Sequence, residues 1–453
     1  MPPPRPPPEL MDDLVADILL RIPPDEPADL FRAALVCKPW RRIIFDPAFP
    51  RLYREFHRTP PLLGFFHDPV SDEDDYRSPF VALTTASPYY PVEADYGDRI
   101  VLDCRHGRVL FYARRKLIVW DPITNEQHDL CHPDYPRDCY KNVAVLCAAD
   151  GCDHLDCRGR PFLVVCVASD SEKEVLWWSV YSSETRTWSV LTSLQLEQFL
   201  DVEYDRPNLL AGDALYFILE IGGESIIKYD LTERNLSVMD LPDVYEEPYD
   251  IVLTVENGEL GFACLKDDIL YLWSWQTGLD GVAGWVQRRA IELKMLLTDY
   301  GMTTSFRLNG FVESKYTIFV STDVGVFTIE LKSELVKKVA EKGLDCPITP
   351  YMSFWTPVGQ FKCSYCEIGS SAPGITAHFV MLMVAEPSAE ARLSRFEDET
   401  LEGIALAATH WVCSYESRPR NSEQACLDFA TVHSTQCLCS QEKVLYVCQK
   451  IEY

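Results

Sequence analysis

Apolar residues recur at helical spacing near the start of the chain. These residues are Leu10, Leu14, Ile18, Leu19 and Ile22, and the polar positions between them are mainly aspartate. This 3.6-residue period is typical of an amphipathic helix, and the Pro23-Pro24 pair that follows should end it, because proline lacks the backbone N–H that a helix interior requires. The pattern therefore predicts a first helix that ends near Ile22.

Three further short helices are predicted before residue 60. Residues 25–36 fit a second helix with Leu30, Ala33 and Ala34 on one face. A third helix begins at Lys38-Pro39 and is broken at Asp46-Pro47, and a fourth spans residues 49–57. Helices of this length are not stable alone, so the unit needs a partner, which is the rest of the chain or another protein.

Beyond residue 60 the helical period gives way to short apolar or alternating runs between polar turns. Such runs predict β-strands. The best examples are residues 109–112, 117–120, 162–167, 175–181, 215–219 and 226–229.

Two landmarks repeat along this strand-rich region. A glycine before an apolar strand recurs at intervals of about 50 residues, the period of kelch-like propeller blades. These glycines are Gly107, Gly159, Gly212, Gly258 and Gly310. An aromatic residue, then Asp or Ser, then a polar stretch follows the first four, and we interpret it as a hairpin turn within each blade. These stretches are residues 120–125, 181–186, 229–234 and 273–278.

The repeat predicts a β-propeller of five to seven blades, with six favoured. Five units are visible, and residues 62–106 together with a C-terminal strand can complete a sixth blade, because a propeller must close its ring. The expected fold class is α+β multidomain: a small all-α module, an all-β propeller, and an irregular C-terminal tail.

Composition limits the cellular compartment and the classes of binding partner that we expect. The chain has 453 residues, 47% of them hydrophobic, and a formal net charge of −27. Such a charge opposes binding to nucleic acid or to an anionic membrane surface. The N-terminus lacks the apolar segment of a secretory signal, and no apolar run reaches the length of a membrane span. We therefore expect the 17 cysteines to be free thiols, in the cytoplasm, the nucleus or both.

Cysteine and histidine residues cluster between positions 131 and 157. Thiolates and imidazoles at four positions could bind zinc, but the spacings are irregular and contain no pair of C-x-x-C motifs, so we favour a cysteine-containing blade connection without metal. The cluster comprises Cys131, His132, Cys139, Cys147, Cys152, His154 and Cys157. Nor does the sequence contain a nucleophile elbow, a phosphate-binding loop or a metalloprotease motif. We expect no catalytic residue, cofactor or metal site, and hence no enzyme.

The N-terminal pattern resembles the F-box motif. The segments that carry the resemblance are Leu10 to Pro23, Asp29-Leu30, and Leu35-Val36-Cys37-Lys38-Pro39-Trp40-Arg41-Arg42-Ile43-Ile44, with Met11 where the family has an early proline. The resemblance implies docking on a Skp-type linker protein and, through it, a cullin scaffold. It implies that the residues of that interface, or of the core of the motif, are Leu10, Met11, Leu14, Ile18, Ile22, Leu30, Leu35, Val36, Cys37 and Trp40.

The strand-rich region resembles the kelch-like propeller that follows the F-box in many plant F-box proteins. The carrying residues are 57–66, 119–124, 151–157 and 350–357. We therefore divide the chain into a proline-rich, disordered leader (1–8), an F-box helical module (9–58), a propeller that binds a substrate protein (62–357), and a partly disordered, cysteine-containing tail (358–453), in which residues 389–408 could form a helix.

The resemblance implies a substrate-recognition adaptor of a cullin-based ubiquitin ligase. The alternatives left open are a ligase-independent scaffold or binding protein and, third, a propeller enzyme. The substrate is unknown, and aromatic loop residues could be its anchors. The candidates are Tyr89, Tyr90, Tyr96, Tyr245 and Tyr249.

Overall fold

The computed structural model describes most of the chain as far as Thr356 and one hairpin beyond it. The described residues are 11–67, 78–84, 99–113, 116–131, 133, 140–170, 173–196, 202, 206–219, 225–242, 251–278, 281–301, 305–356, 436–441 and 444–449. The chain divides into two compact units, Met1–Pro50 with Thr356–Tyr453, and Arg51–Trp355.

The four predicted N-terminal helices are present. They are α1 (Asp12–Leu20), α2 (Ala28–Val36), α3 (Lys38–Ile44) and α4 (Phe49–His57). Asp12 and Asp13 lie in the first turn of α1, where their negative charges interact favourably with the partial positive charge of the helix N-terminus. Pro39 lies in the first turn of α3, where a missing N–H costs no helical hydrogen bond. Both α1 and α2 pack against α3.

The buried face of α1 coincides only in part with the apolar stripe that its spacing suggested, through Leu19. Val15 and Leu19 are the buried residues of this helix, whereas Leu14 and Ile18 are exposed. Leu30 and Phe31 of α2 and Ile44 of α3 are also buried, and the predicted face of α2 with Ala33 and Ala34 is confirmed. The small module can therefore bury only some of the apolar side chains of α1, and the others remain exposed to solvent.

The second unit contains a six-bladed β-propeller, as predicted. Blade 1 consists of β1 (Leu62–His67), β2 (Phe80–Ala82) and β24 (Ile348–Met352), and blade 2 of β3 (Arg99–Arg105), β4 (Arg108–Ala113), β5 (Lys116–Asp121) and β6 (Glu126–Leu130). Blade 3 consists of β7 (Tyr140–Cys147), β8 (Phe162–Asp170), β9 (Val175–Ser182) and β10 (Thr187–Trp188), with β11 (Thr192–Gln195) also paired to β9.

The other three blades are regular four-stranded antiparallel sheets. Blade 4 consists of β12 (Leu209–Ala211), β13 (Ala214–Ile218), β14 (Ser225–Asp230) and β15 (Leu236–Asp240), and blade 5 of β16 (Ile251–Glu256), β17 (Glu259–Lys266), β18 (Ile269–Thr277) and β19 (Ala283–Glu292). A short helix, α5 (Leu293–Leu296), leads to blade 6 with β20 (Phe306–Val312), β21 (Thr317–Thr322), β22 (Gly325–Glu330) and β23 (Val336–Ala340).

The ring closes where β24, the last strand of the propeller, pairs antiparallel with β1, the first. The β24 strand also lies beside β20 and β3, so it occupies the innermost position of blade 1. Gly310 of β20 permits this approach, because a β-carbon there would lie 2.4 Å from the carbonyl oxygen of Ile348. The predicted completion of a sixth blade by a C-terminal strand is therefore confirmed.

One turn recurs between the third and fourth strands of four blades. Asn125, Arg186, Arg234 and Glu334 all adopt the left-handed conformation with φ between 56° and 58°. The Arg186, Arg234 and Glu334 N–H groups each donate to the carbonyl oxygen four residues earlier, at 2.8 Å. The predicted hairpin turns at 120–125, 181–186 and 229–234 are thus confirmed.

The fourth predicted turn, at 273–278, is wrong. The β18 strand continues to Thr277, and Trp275 pairs in register with Trp285 of β19. Their rings meet edge to face with centroids 5.2 Å apart. This aromatic cross-strand pair stabilises a longer hairpin, and the chain turns only after Gly278.

Buried apolar side chains fill the spaces between neighbouring blades. The largest cluster joins blades 4, 5 and 6 and includes Ile226, Phe262 and Phe327. Further clusters join blades 3 and 4, and blades 2 and 3. The propeller core is therefore a series of packed sheet interfaces around the ring.

The described residues of the tail form one antiparallel hairpin, β25 (Gln436–Gln441) and β26 (Val444–Gln449). The candidate helix at 389–408 lies outside the described residues. Within the described part of the chain, no helix is long and apolar enough to cross a membrane.

Two truncations test the closure of the ring. Ending the chain after Pro347 removes β24, which leaves β1 without its inner partner strand and β20 and β3 without the strand that packs between them, so we expect loss of the cooperative thermal unfolding transition and aggregation. Ending it after Val358 retains every described propeller strand and should leave the transition within a few degrees of that of the full chain. Similar unfolding of the two truncated chains would contradict closure by β24.

Candidate functional site

An apolar surface lies on one side of helix α1. Met11, Leu14 and Ile18 are 69%, 46% and 47% exposed. The three residues are spaced at i, i+3 and i+7, which aligns them along one face of the helix. The aspartates of the first turn are also exposed, and Asp12 forms an ion pair with Arg42 of α3.

A second apolar surface lies at the end of helix α2. Leu35 and Val36 are 54% and 64% exposed, and Cys37 beside them is exposed as well. The backbone of Cys37 is extended, with φ −160° and ψ 163°, and this residue separates α2 from α3. The end of one helix and the start of the next therefore leave these side chains on the outside of the module.

The structure sorts the sequence-predicted interface residues into three groups. Leu30 is only 1% exposed and belongs to the core of the module. Ile22 and Trp40 are half-buried, and Leu10 lies outside the described residues. The remaining candidates are exposed: Met11, Leu14, Ile18, Leu35, Val36 and Cys37.

More than half of the large apolar side chains exposed in the described part of the chain lie between Met11 and Phe56. Such a concentration is typical of a surface that binds another protein. Val15 is a core residue that the sequence analysis did not name. Its position four residues before Leu19 was the available signal, but it competed with the equally regular spacing of Leu14 and Ile18.

A buried polar network lies at the centre of the propeller. The Arg105 guanidinium, at the end of β3, donates to Asp103 Oδ2 at 2.8 Å and to Asn208 Oδ1 at 3.0 Å. Its other terminal nitrogen donates to Glu313 Oε1 at 2.9 Å. These partners belong to blade 2, to the segment before blade 4, and to the 3-10 turn after β20. Arg105 therefore spans the channel, and no sequence motif had indicated this.

Burial governs the ionisation of this network. It raises the pKa of the Asp103 carboxyl to about 6, although the Arg105 guanidinium beside it acts in the opposite direction. The backbone N–H of Val145 on β7 also donates to Asp103 Oδ2 at 2.8 Å. Near the axis, the cavity beside Arg206, Asn208 and Glu313 measures about 30 Å³, which is room for roughly one water molecule.

The tyrosines and the cysteine and histidine cluster that the sequence analysis singled out are not part of the helical module. The five tyrosines considered as substrate anchors fall outside the described residues. Cys147, Cys152, His154 and Cys157 come together, with their potential ligand atoms within 4.8 Å of one another. Cys131 is not part of this group and is exposed, while His132 and Cys139 lie outside the described residues.

Comparisons with known proteins match both parts of the chain. Residues 100–358 match the family model described as F-box protein AT5G49610-like, beta-propeller, and residues 12–58 match the F-box-like model. The chain is 22% identical over 369 residues to the F-box protein At5g03970 of Arabidopsis thaliana, covering 73% of this chain and 83% of that protein.

Likenesses to solved structures are weaker. The WD40 domain of SCAP from fission yeast is 13% identical, with a TM-score of 0.33, over 55% of this chain and 54% of that one. A Lactobacillus plantarum protein is 10% identical, with a TM-score of 0.35, over 62% of this chain and 82% of that one. Scores this low carry no argument about this chain.

Replacing Arg105 with methionine tests the channel network. The change leaves the buried Asp103 carboxylate without its guanidinium, so we expect the free energy of unfolding to fall by about 3–5 kcal/mol near pH 8. Urea unfolding measures this loss. In the matched control Arg288→Met, the replaced side chain is exposed, and the change should be within about 0.5 kcal/mol.

The same variant should show a defined pH dependence. Because burial raises the pKa of Asp103 above 3.8, the cost of its charge is absent below that value and grows as the pH rises through the folded pKa. Loss of Arg105 raises this pKa further. The stability difference between the native chain and the variant should therefore narrow from about pH 8 to about pH 5, and an unchanged difference would contradict this assignment.

Proposed function

The chain belongs to the family of AT5G49610-like F-box proteins with a β-propeller, and we propose that it is a substrate-recognition adaptor of a cullin-based ubiquitin ligase. In this role the helical module binds a Skp-type linker protein, the linker connects it to a cullin, and the propeller binds a substrate protein. The observation that carries the proposal is the exposed apolar surface in the segment that matches the F-box-like model.

The exposed candidates are the proposed contacts with the linker. Met11, Leu14 and Ile18 contribute one face of α1, and Leu35, Val36 and Cys37 contribute the end of α2. Ile22 and Trp40 remain candidates because part of each side chain is accessible. Leu30 is assigned to the module core, where it supports the helices without touching the partner. Leu10 keeps the assignment that the resemblance implies.

The size of the module supports the need for a partner. A helical unit of about 40 residues buries little apolar surface of its own. Apolar area removed from water on binding contributes roughly 25 cal/mol per Å². A linker that covers these side chains would therefore stabilise the module as well as bind it.

The propeller supplies a rigid surface for the substrate. Arg105 spans the channel and the nearby cavity is small, which favours a substrate surface on the loops between strands over one inside the channel. Binding both the substrate and the ligase raises the effective concentration of the substrate near the ubiquitin-charged enzyme. In this role the chain performs no bond chemistry and needs no catalytic residue or cofactor.

We place this activity in the cytoplasm, the nucleus or both. No disulfide joins cysteines in the described part of the chain, which agrees with a reducing compartment.

Charge substitution on α1 tests the docking proposal. In the full-length chain, Leu14→Asp with Ile18→Asp would bring two carboxylates into an apolar interface. We expect the affinity for the Skp-type linker to fall by about 2 kcal/mol or more, which is roughly thirtyfold in Kd. Co-purification with the linker and the cullin, followed by titration of the linker, measures the loss.

Two controls and one further variant of the docking surface make the result specific. Val190→Asp places the same charge at an 88% exposed apolar residue of the propeller and should not affect the linker. Trp40→Ala, made alone, should also weaken the complex. Unchanged melting of the double variant excludes unfolding as the cause. Retention of the linker by both the Leu14→Asp, Ile18→Asp double variant and Trp40→Ala would contradict docking through this surface. A linker complex without cullin would favour a ligase-independent scaffold.

A further inference from the structure

Four potential metal ligands meet at the connection between the first two strands of blade 3. Cys147 is the last residue of β7, and Cys152, His154 and Cys157 lie in the segment 148–161 that leads to β8. Each offers one ligand atom, and no two of these atoms are more than 4.8 Å apart.

The measured separations match those around a tetrahedral zinc ion. Zn–S and Zn–N bonds of about 2.3 and 2.0–2.1 Å place neighbouring ligand atoms roughly 3.5–3.8 Å apart. Here Cys152 Sγ lies 3.7 Å from Cys157 Sγ, and Cys157 Sγ lies 3.6 Å from His154 Nδ1. A disulfide would require about 2.05 Å between two sulfurs. Three thiolates and one imidazole form a closed ligand set that favours zinc.

The connection has little else to stabilise it. All of residues 148–161 are described, and Cys157 is the only buried residue among them. Loops between adjacent antiparallel strands usually have 2–5 residues, so this one is long. Gly151 and His154 both have positive φ, 61° and 57°, and the left-handed conformation is uncommon for a residue other than glycine. A metal ion could hold such a segment without an apolar core.

Side chains from blade 2 surround the four ligands. The His106 ring stacks on His154 with centroids 4.0 Å apart and an interplanar angle of 11°. His106 Nδ1 accepts a hydrogen bond from the Cys147 backbone N–H at 3.2 Å. Arg108 donates to the backbone carbonyl oxygens of Cys157 and Arg160. Such outer contacts orient ligands around metal ions in proteins.

We propose that Cys147, Cys152, His154 and Cys157 bind one structural Zn²⁺ ion that orders the β7–β8 connection. All four coordination positions are filled by side chains, so the ion has no open position for a substrate. The irregular spacing that argued against a metal arises because one ligand ends a strand and three come from a loop. The site does not depend on the proposed adaptor function.

The ordered connection also holds helix α4. Asp156, between His154 and Cys157, binds Arg54 of α4 at 2.6 Å, and the two side chains are 35% and 10% exposed. Asp156 also pairs with Arg158 at 3.0 Å. Tyr53 of α4 meets Phe354 edge to face, with centroids 6.3 Å apart. Zinc would therefore keep the carboxylate of Asp156 where α4 requires it.

Metal analysis of the untagged, full-length protein, purified under reducing conditions without chelator, tests the proposal. We expect about one zinc ion per chain by inductively coupled plasma mass spectrometry. Cys157→Ser and His154→Asn should each lower the zinc content by at least about tenfold, because a missing ligand opens the site. Cys131→Ser should retain zinc, since its thiol is not part of the group.

Two measurements on the unmodified chain keep the test independent of whether the variants fold. Cobalt should replace zinc and give the visible absorption of a tetrahedral thiolate site, and a strong chelator should lower the melting temperature by several degrees, with recovery on adding zinc. A native protein without zinc, indifferent to chelator, would overturn the proposal. So would a disulfide between Cys152 and Cys157 in the freshly purified, zinc-free protein.

Discussion

Pairing between β1 and β24 joins the two ends of the propeller, and the other blades depend on it. The blade that contains β1 lacks its inner strand until the last strand of the ring pairs with it. Here the strand that meets β1 also contacts β20 and β3, so one short segment near residue 350 completes both a blade and the inner ring. Gly310 accommodates the close approach that this requires. The rigid platform presented to any partner is thus a product of closure.

Closure also brings charged groups from distant parts of the chain together at the axis. Asp103, Arg105, Asn208 and Glu313 share one network, although Arg105 and Glu313 are 208 residues apart in the chain. The two terminal nitrogens of this buried guanidinium donate to two carboxylates and an amide, which offsets part of the cost of burying its charge, while its Nε has no hydrogen-bond partner among the described residues. Because this network spans the channel, the contacts that we propose with other molecules are on the loops and on the helical module.

The helical module and the β7–β8 connection both bury few apolar side chains of their own. The module leaves Leu14, Ile18, Leu35 and Val36 exposed, which favours completion by another protein. The long β7–β8 connection gathers thiols and an imidazole within reach of one ion, which favours completion by a metal. The same connection forms an ion pair with helix α4, between Asp156 and Arg54.

The sequence by itself determined the helices and the propeller and favoured six blades within a range of five to seven, because helical period, strand alternation and turn residues are local properties of the chain. Pairing of β1 with β24 fixed the number at six. It also indicated which residues of the helical module are candidates for docking, but not which of them are buried. Val15 and Leu14 are equally apolar neighbours, and only the packing of α1 against α3 put the first inside and the second outside. The turn at 273–278 failed for a similar reason, since pairing of Trp275 with Trp285 extends the hairpin. The sequence named the cysteine and histidine cluster, but only the folded β7–β8 connection showed which four of its members come together. The Arg105 network was decided by tertiary structure alone, because it depends on distances between segments that spacing along the chain does not encode.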